Sequence, residues 1–280
     1  PLIDVITILD FVRHLIALRP NFIFLFTIKP VIYGSLAARI TKVKSIVMIT
    51  GLGTVFIKDN WITKVVKILY KYSLSKVFAV FFQNDDDKYM FTSNNLVDPN
   101  ICKMTPGSGV DLNKFLVTDL PKDSGITFLL IARMLWDKGI GEYVSAARTV
   151  KSKYPSTKFQ LLGPLGVQNR TSISSEQVED WVAEGIIEYL GETDEVISYI
   201  DRACCIVLPS YREGTSRVLL EGAAMGRPLI ATNVPGCREV IEDGVTGFLC
   251  EPRNHNDLSK KMELMIEKTY QNRMEMGVRG

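Results

Sequence analysis

The chain is poor in the residues that most often build metal and redox sites. Only two histidines, His14 and His255, occur in 280 residues, and neither has a metal-ligand neighbour pattern, so neither a metal centre nor a histidine base is expected. The five cysteines (Cys102, Cys204, Cys205, Cys237, Cys250) contain no C-x-x-C pair, which argues against a zinc site or disulfide framework and for a reducing, cytoplasmic setting. No apolar run approaches the roughly 18 to 20 residues a bilayer span needs, and the start at Pro1 shows no signal-peptide pattern. A dinucleotide fingerprint is also missing: Gly51-x-Gly53 is followed by Phe56 where a third small residue would stand. Glutamate is absent from residues 1–110, which carry 13 Lys+Arg against 7 Asp, a balance of +6 within a total of +2. That basic half should favour an anionic partner, but no helix-turn-helix, RNA-binding or zinc motif accompanies it, so nucleic acid is not expected.

What is present is an ordinary globular composition, 46% apolar and 23% charged, enough for one or two cores. Apolar runs at 22–28, 45–49 and 77–82 alternate with helical patterns at 5–18, 32–41 and 61–75. After the polar stretch 118–124, which contains Pro121, the alternation resumes with strands marked by Phe128, Phe159, Ile186 and Val207. Repeated strand–helix units predict an α/β protein with two Rossmann-like domains and parallel sheets, residues 1–120 and 121–280.

Two carboxylates stand eight residues apart in the second half. Ile206-Val-Leu208 reads as a buried strand ended by Pro209-Ser210, and Ser216 to Met225 reads as a helix capped by Thr215 and stopped by Gly226 and Pro228. Glu213 then lies on the loop at the strand's carboxyl end and Glu221 about two turns inside the helix. Free amides of Gly214, Thr215 and Ser216 at the helix start suit a phosphate or an ordered hydroxyl, and carboxylates suit sugar hydroxyls. Taken alone, the pair reads equally well as a first-turn Glu and a surface Glu. Arg133 and Lys138 follow the strand 126–131 at its carboxyl end, where ligands bind in open α/β sheets, and a guanidinium with an ammonium suits a diphosphate. Alone, they read as solvated surface cations.

Together these segments resemble a retaining GT-B glycosyltransferase of family 4. The resemblance rests on Glu213-x7-Glu221, on Arg133 and Lys138 of R-x4-K-G, and on Gly107-Ser-Gly-Val-Asp-Leu-Asn-Lys-Phe115. It extends to Gly226-x-Pro228, Asn233-Val-Pro-Gly236 and Asp243-Gly-Val-Thr-Gly-Phe248, so that it covers nearly the whole chain. It implies two domains facing across a cleft, the first on the acceptor side and the second binding a nucleoside-diphosphate sugar, a UDP-sugar by expectation. Arg133 and Lys138 would hold the donor diphosphate, Glu213 the hydroxyls of the transferred sugar, Glu221 the ribose hydroxyls, and Gly214, Thr215 and Ser216 would offer amides. Transfer would go to a carbohydrate or lipid-linked carbohydrate acceptor with retention, as in polysaccharide and cell-envelope biosynthesis, with no metal or other cofactor. Ala132 and Ser216 depart from the family's usual Gly and Pro without removing a proposed chemical group. Members normally open with a strand and glycine-rich turn ahead of this start and close with a helix returning to the first domain, so the chain reads as a fragment. The alternatives are a GT-B sugar-nucleotide 2-epimerase, which the scarcity of histidine disfavours, and a binding module without turnover.

Lesser candidates complete the reading. Gly51 and Gly53 follow the strand 45–49 and, by resemblance, face the donor, although any tight turn there calls for glycine. The junction of Leu190 and Gly191 offers backbone groups to a nucleobase, Lys29 stands near an acceptor phosphate, and Glu239 near the nucleotide. Asp85, Asp86 and Asp87 after Asn84 suit a helix start better than a metal. The segment 61–76 places Lys64, Lys67 and Lys71 on one helical face, which fits either a core helix with a solvated lysine stripe or a helix lying peripherally on the anionic inner face of the cell membrane.

Overall fold

The computed structural model describes residues 2–52, 56, 61–122 and 125–280. Gly53, one of the glycines singled out above, lies outside the described residues. The chain forms two compact units, residues 1–108 with Glu213–Thr215, and residues 109–212 with 216–280.

In the first unit the elements run α1 (Leu2–Leu18), β1 (Phe22–Phe26), α2 (Ile28–Thr41), β2 (Lys44–Ile49), α3 (Trp61–Leu74), β3 (Ala79–Phe82), α4 (Asp85–Ser93) and β4 (Cys102–Met104). The strands form a parallel sheet in sequential order β1-β2-β3-β4. Its core gathers Leu25, Val47, Val80 and Phe82 from the strands with Tyr70, Leu74 and Phe91 from the helices. Strand β1 ends two residues early because Thr27 adopts φ 65 and turns the chain into α2. Pro30 sits in the first turn of that helix, where its missing N–H costs nothing, so Lys29 is an exposed helical residue rather than a strand end. Asn84 caps α4 by accepting from the Asp87 amide at 2.8 Å, with Asp85, Asp86 and Asp87 in the first turn. Helix α3 buries Thr63, Tyr70, Ser73 and Leu74. Its lysine stripe is not the whole exposed face: Trp61, Val65, Ile68 and Tyr72, spaced as one helical stripe, are also exposed.

The second unit runs β5 (Thr127–Ile131), a 3-10 turn at Trp136–Lys138, α5 (Ile140–Lys153), β6 (Lys158–Leu162), α6 (Ser175–Ala183), β7 (Glu188–Tyr189), α7 (Ile197–Asp201) and β8 (Cys205–Leu208). It ends with α8 (Arg217–Ala224), β9 (Leu229–Thr232), β10 (Gly247–Cys250), α9 (His255–Glu267) and α10 (Tyr270–Val278). All strand pairs are parallel, in the order β10-β9-β8-β5-β6-β7. From Phe128 onward in β5 and throughout β8 the runs are apolar because both faces of the sheet are covered, with Phe128 and Leu130 in one core cluster and Leu129 and Ile206 in the other.

The segment expected to end the first domain belongs to the second unit from Gly109 onward. Packing is the reason. Phe115 is buried against Leu129 and Ile131, and the backbone oxygens of Thr118 and Asp119 accept hydrogen bonds from Arg227, whose side chain has no exposed surface.

Candidate donor site at the carboxyl ends of β5 and β8

Strand order creates the site. From β5 the chain winds outward through β6 and β7, then returns to lay β8 on the other side of β5 and continues to β9 and β10. The carboxyl ends of β5 and β8 therefore flank a topological switch point, where the connecting loops diverge and leave room for a ligand. Arg133 lies two residues past the end of β5 and is exposed, and Lys138 closes the 3-10 turn, partly buried. The loop after β8 carries Glu213 and leads into α8, with Glu221 in its second turn.

These two loops are joined. The backbone oxygen of Asp137 accepts from the Tyr211 amide at 2.9 Å and from the Ser210 hydroxyl at 3.3 Å. Thr171 donates its hydroxyl to Asp137 Oδ2 at 2.9 Å, which holds the turn from its other side. Gly139, at φ 71, ends the turn, and a Cβ there would lie 2.0 Å from the backbone oxygen of Pro209. Only glycine permits both that backbone conformation and that approach.

The cap of α8 is Ser216, not Thr215: the Ser216 hydroxyl accepts from the Leu219 amide at 3.3 Å. Two of the three amides expected to be free are also engaged. Ser216 donates its amide to Gly236 O at 2.9 Å, and Thr215 donates to Gln83 Oε1 at 3.1 Å within the first unit. Gly51 lies in the same cluster at φ 115, where a Cβ would meet the Gly214 nitrogen at 2.9 Å. The Gly214 oxygen accepts from Asn84 Nδ2 at 2.9 Å.

Glu221 lines an open cavity of about 430 Å³ formed by the second unit alone, together with Asp111, Lys114, Ile131, Asp194 and Arg217. The residue is 7% exposed. Burial raises its carboxyl pKa, an effect opposed by Arg217 and Lys114. Arg217 Nη2 donates to Glu221 Oε1 at 3.1 Å. An acceptor-only carboxylate on an apolar wall, among charged groups, can bind vicinal hydroxyls of a nucleoside. Arg217 and Asp194 escaped the sequence reading, and Asp111 and Lys114 entered it only within the 107–115 motif, without a site role. The spacing of Arg217 and Glu221, four apart on a helix, was the available signal for the first of them.

Other candidates fall elsewhere. The Leu190 amide donates to Leu161 O at 2.9 Å and Gly191 O accepts from Gly163 at 2.8 Å, so both groups extend the sheet. Leu190 lines a second cavity, with Gln160, Tyr199 and Arg202, and is not among the residues around Glu221. Glu239 accepts from the Gly236 amide at 2.7 Å and stabilises its own turn. Among the described residues no cluster of three or more His, Cys, Asp or Glu could hold a metal, and no helix is long and apolar enough to cross a membrane.

Two parallel α/β units with a ligand crevice at the switch point of the second define the class, and the family models agree with it. The model described as "Glycosyl transferases group 1" matches residues 125–268 and that described as "Glycosyl transferase 4-like" matches residues 3–84. The chain belongs to the group 1 glycosyl transferases and has their GT-B fold class. Among curated relatives, the Campylobacter jejuni N,N'-diacetylbacillosaminyl-diphospho-undecaprenol alpha-1,3-N-acetylgalactosaminyltransferase is 28% identical over 252 residues, 84% of this chain and 65% of that protein. The Staphylococcus aureus capsular polysaccharide biosynthesis glycosyltransferase CapM is 25% identical over 64% of this chain and 50% of its own length. The chain thus spans between half and two thirds of these two relatives. Among solved structures, Anabaena HepE in complex with UDP-glucose superposes with a TM-score of 0.82 at 17% identity, over 96% of this chain and 74% of that one. Sucrose-phosphate synthase from Thermosynechococcus elongatus gives 0.81 at 17% identity over 97% and 70%.

Proposed function

We propose that the protein transfers a sugar from a UDP-sugar to a carbohydrate or lipid-linked carbohydrate acceptor with retention at the anomeric carbon. The observation that carries this reading is the buried Glu221 in a nucleoside-sized cavity at the β5/β8 switch point, with the Arg133–Lys138 loop joined to the loop after β8. In this reading Glu221 accepts hydrogen bonds from the ribose hydroxyls, and Glu213 accepts from hydroxyls of the transferred sugar. As the glycosidic bond breaks, its electron pair leaves with the diphosphate, whose added charge Arg133 and Lys138 stabilise in a preorganised site. Two side-chain cations take the part a metal plays elsewhere, so no metal requirement is proposed. A donor phosphate oxygen takes the acceptor's proton on the face from which the bond broke, which retains configuration without a covalent intermediate.

The Campylobacter relative's name, with its undecaprenol-linked acceptor, supports a lipid-linked substrate, and the UDP-glucose complex of HepE supports a UDP-sugar donor. The exposed stripe Trp61, Val65, Ile68 and Tyr72 on α3, flanked by Lys64 and Lys71, supports peripheral binding to an anionic membrane face. The test is transfer from labelled UDP-hexoses and UDP-N-acetylhexosamines to polyprenyl-diphosphate-linked sugars, with the anomeric coupling of the product read by NMR. Lys138→Ala and Glu213→Ala are each expected to lower turnover by roughly a hundredfold or more. Near-wild-type rates in both variants, or an inverted product, would refute the assignments.

A further inference from the structure

Glu221 does not stand alone in its cavity. Arg217 lies one helical turn earlier on α8 and bonds the carboxylate at 3.1 Å while its own side chain stays 69% exposed at the cavity rim. We propose that Arg217 is a positioning residue for the donor: it holds the Glu221 carboxylate ionised and fixes one oxygen, leaving the other aimed at the ribose hydroxyls. The inference rests on the reading of Glu221 as the ribose ligand.

The geometry explains why such a partner is needed. A carboxylate within α8 faces an apolar wall that includes Ile131 and Val218, and burial there favours its neutral form. A protonated carboxyl has one good acceptor fewer, so it would bind a vicinal diol less well. The charged groups facing it are Arg217 on its own helix, Lys114 and Asp111 on the segment that enters the second unit, and Asp194 on the loop after β7. Two cations oppose two carboxylates, and of the cations Arg217 makes the hydrogen bond, whereas Lys114 contributes only its charge. Arg217 Nη2 spends one donor on Oε1. The rest of the guanidinium lies at the exposed rim, so the bridge can persist when a nucleoside enters.

The experiment is titration of the protein with UDP from pH 5 to pH 8.5, for wild type, Arg217→Gln, Arg217→Lys and Glu221→Gln. Each titration is repeated with 2′,3′-dideoxyuridine diphosphate. Because the arginine is largely exposed, Arg217→Gln is expected to weaken UDP binding by only about two- to fivefold at pH 8. The loss relative to wild type grows as pH falls, because without its cation Glu221 protonates at a higher pH. The ratio to wild type cancels the nucleotide's own titration. Arg217→Lys should recover most of the affinity, and the dideoxy ligand should bind Arg217→Gln and wild type alike. An Arg217→Gln ratio that is flat with pH, or a loss that persists with the dideoxy ligand, would overturn the proposal while leaving the donor site intact. Failure of wild type to bind UDP, or equal binding by Glu221→Gln, would instead overturn the underlying reading.

Discussion

Arg227 offers the most quantitative test of how the second unit is assembled. Its side chain is fully buried, and burial lowers its pKa. Nε donates to Ile200 O at 2.9 Å, Nη1 to Thr118 O at 3.0 Å and Asp119 O at 3.1 Å, and Nη2 to Asp201 O at 3.1 Å, with the Thr118 hydroxyl and the Asp201 carboxylate also in reach. One guanidinium thus ties the incoming segment at Thr118 and Asp119 to the end of α7. Arg227→Met keeps the stem's volume and deletes every one of these bonds. Leaving a buried acceptor unpaired costs about 1–3 kcal/mol each, and the desolvation that the lost cation no longer suffers offsets part of that sum. The net expectation is a loss of about 3–5 kcal/mol, the usual result of breaking a buried ionic network. For a unit of this size that lowers the melting temperature by roughly 10 °C. Urea and thermal unfolding followed by circular dichroism measure it, with Arg227→Lys expected to be intermediate because an ammonium cannot span the same acceptors. A loss below about 1 kcal/mol in Arg227→Met would refute the clamp.

Further expectations follow from single contacts. Ser216→Ala should destabilise α8 by about 1 kcal/mol in chemical denaturation, whereas Thr215→Ala, which removes no cap, should not show that loss through the helix. Gly139→Ala places a methyl group against Pro209 O and forces alanine into the left-handed region; we expect a loss of at least ~2 kcal/mol and weaker nucleotide binding, and unchanged values in both would contradict the joining of the two loops. Replacing Trp61 and Ile68 together by Ser should reduce sedimentation with phosphatidylglycerol vesicles at low salt without lowering the melting temperature, because both side chains are exposed. Binding that survives the double substitution would remove α3 from the membrane account.

Much of this architecture was legible in the sequence because its signals are local. Strand–helix alternation predicted both parallel sheets, and Gly226, at φ 73 just past the Met225 cap of α8, ends that helix as its position implied. Where the reading failed, the deciding contacts are remote. Thr215 and Ser216 are both competent caps, and only the backbone path, with the Ser216 amide on Gly236, selects Ser216. The early start of α2 depends on the positive φ of Thr27, a conformation no residue-type rule assigns to threonine. The unit boundary at Gly109 comes from the burial of Phe115 and the reach of Arg227, contacts over more than a hundred residues of chain in the second case. Within the candidate site, Arg133, Lys138, Glu213 and Glu221 were visible by their placement at strand ends and on one helix. Lys114 and Asp194 reach the Glu221 cavity through loops whose course the sequence does not disclose, and Leu190 was placed with them although it lines another cavity.

The most direct test of the central claim is a calorimetric titration of UDP, GDP, ADP and NAD against the protein, with Glu221→Ala as control. The account predicts saturable UDP binding that Glu221→Ala abolishes or weakens at least tenfold, a loss of about 1.4 kcal/mol, with NAD silent. Selective NAD binding, or UDP binding of equal strength in wild type and Glu221→Ala, would contradict it.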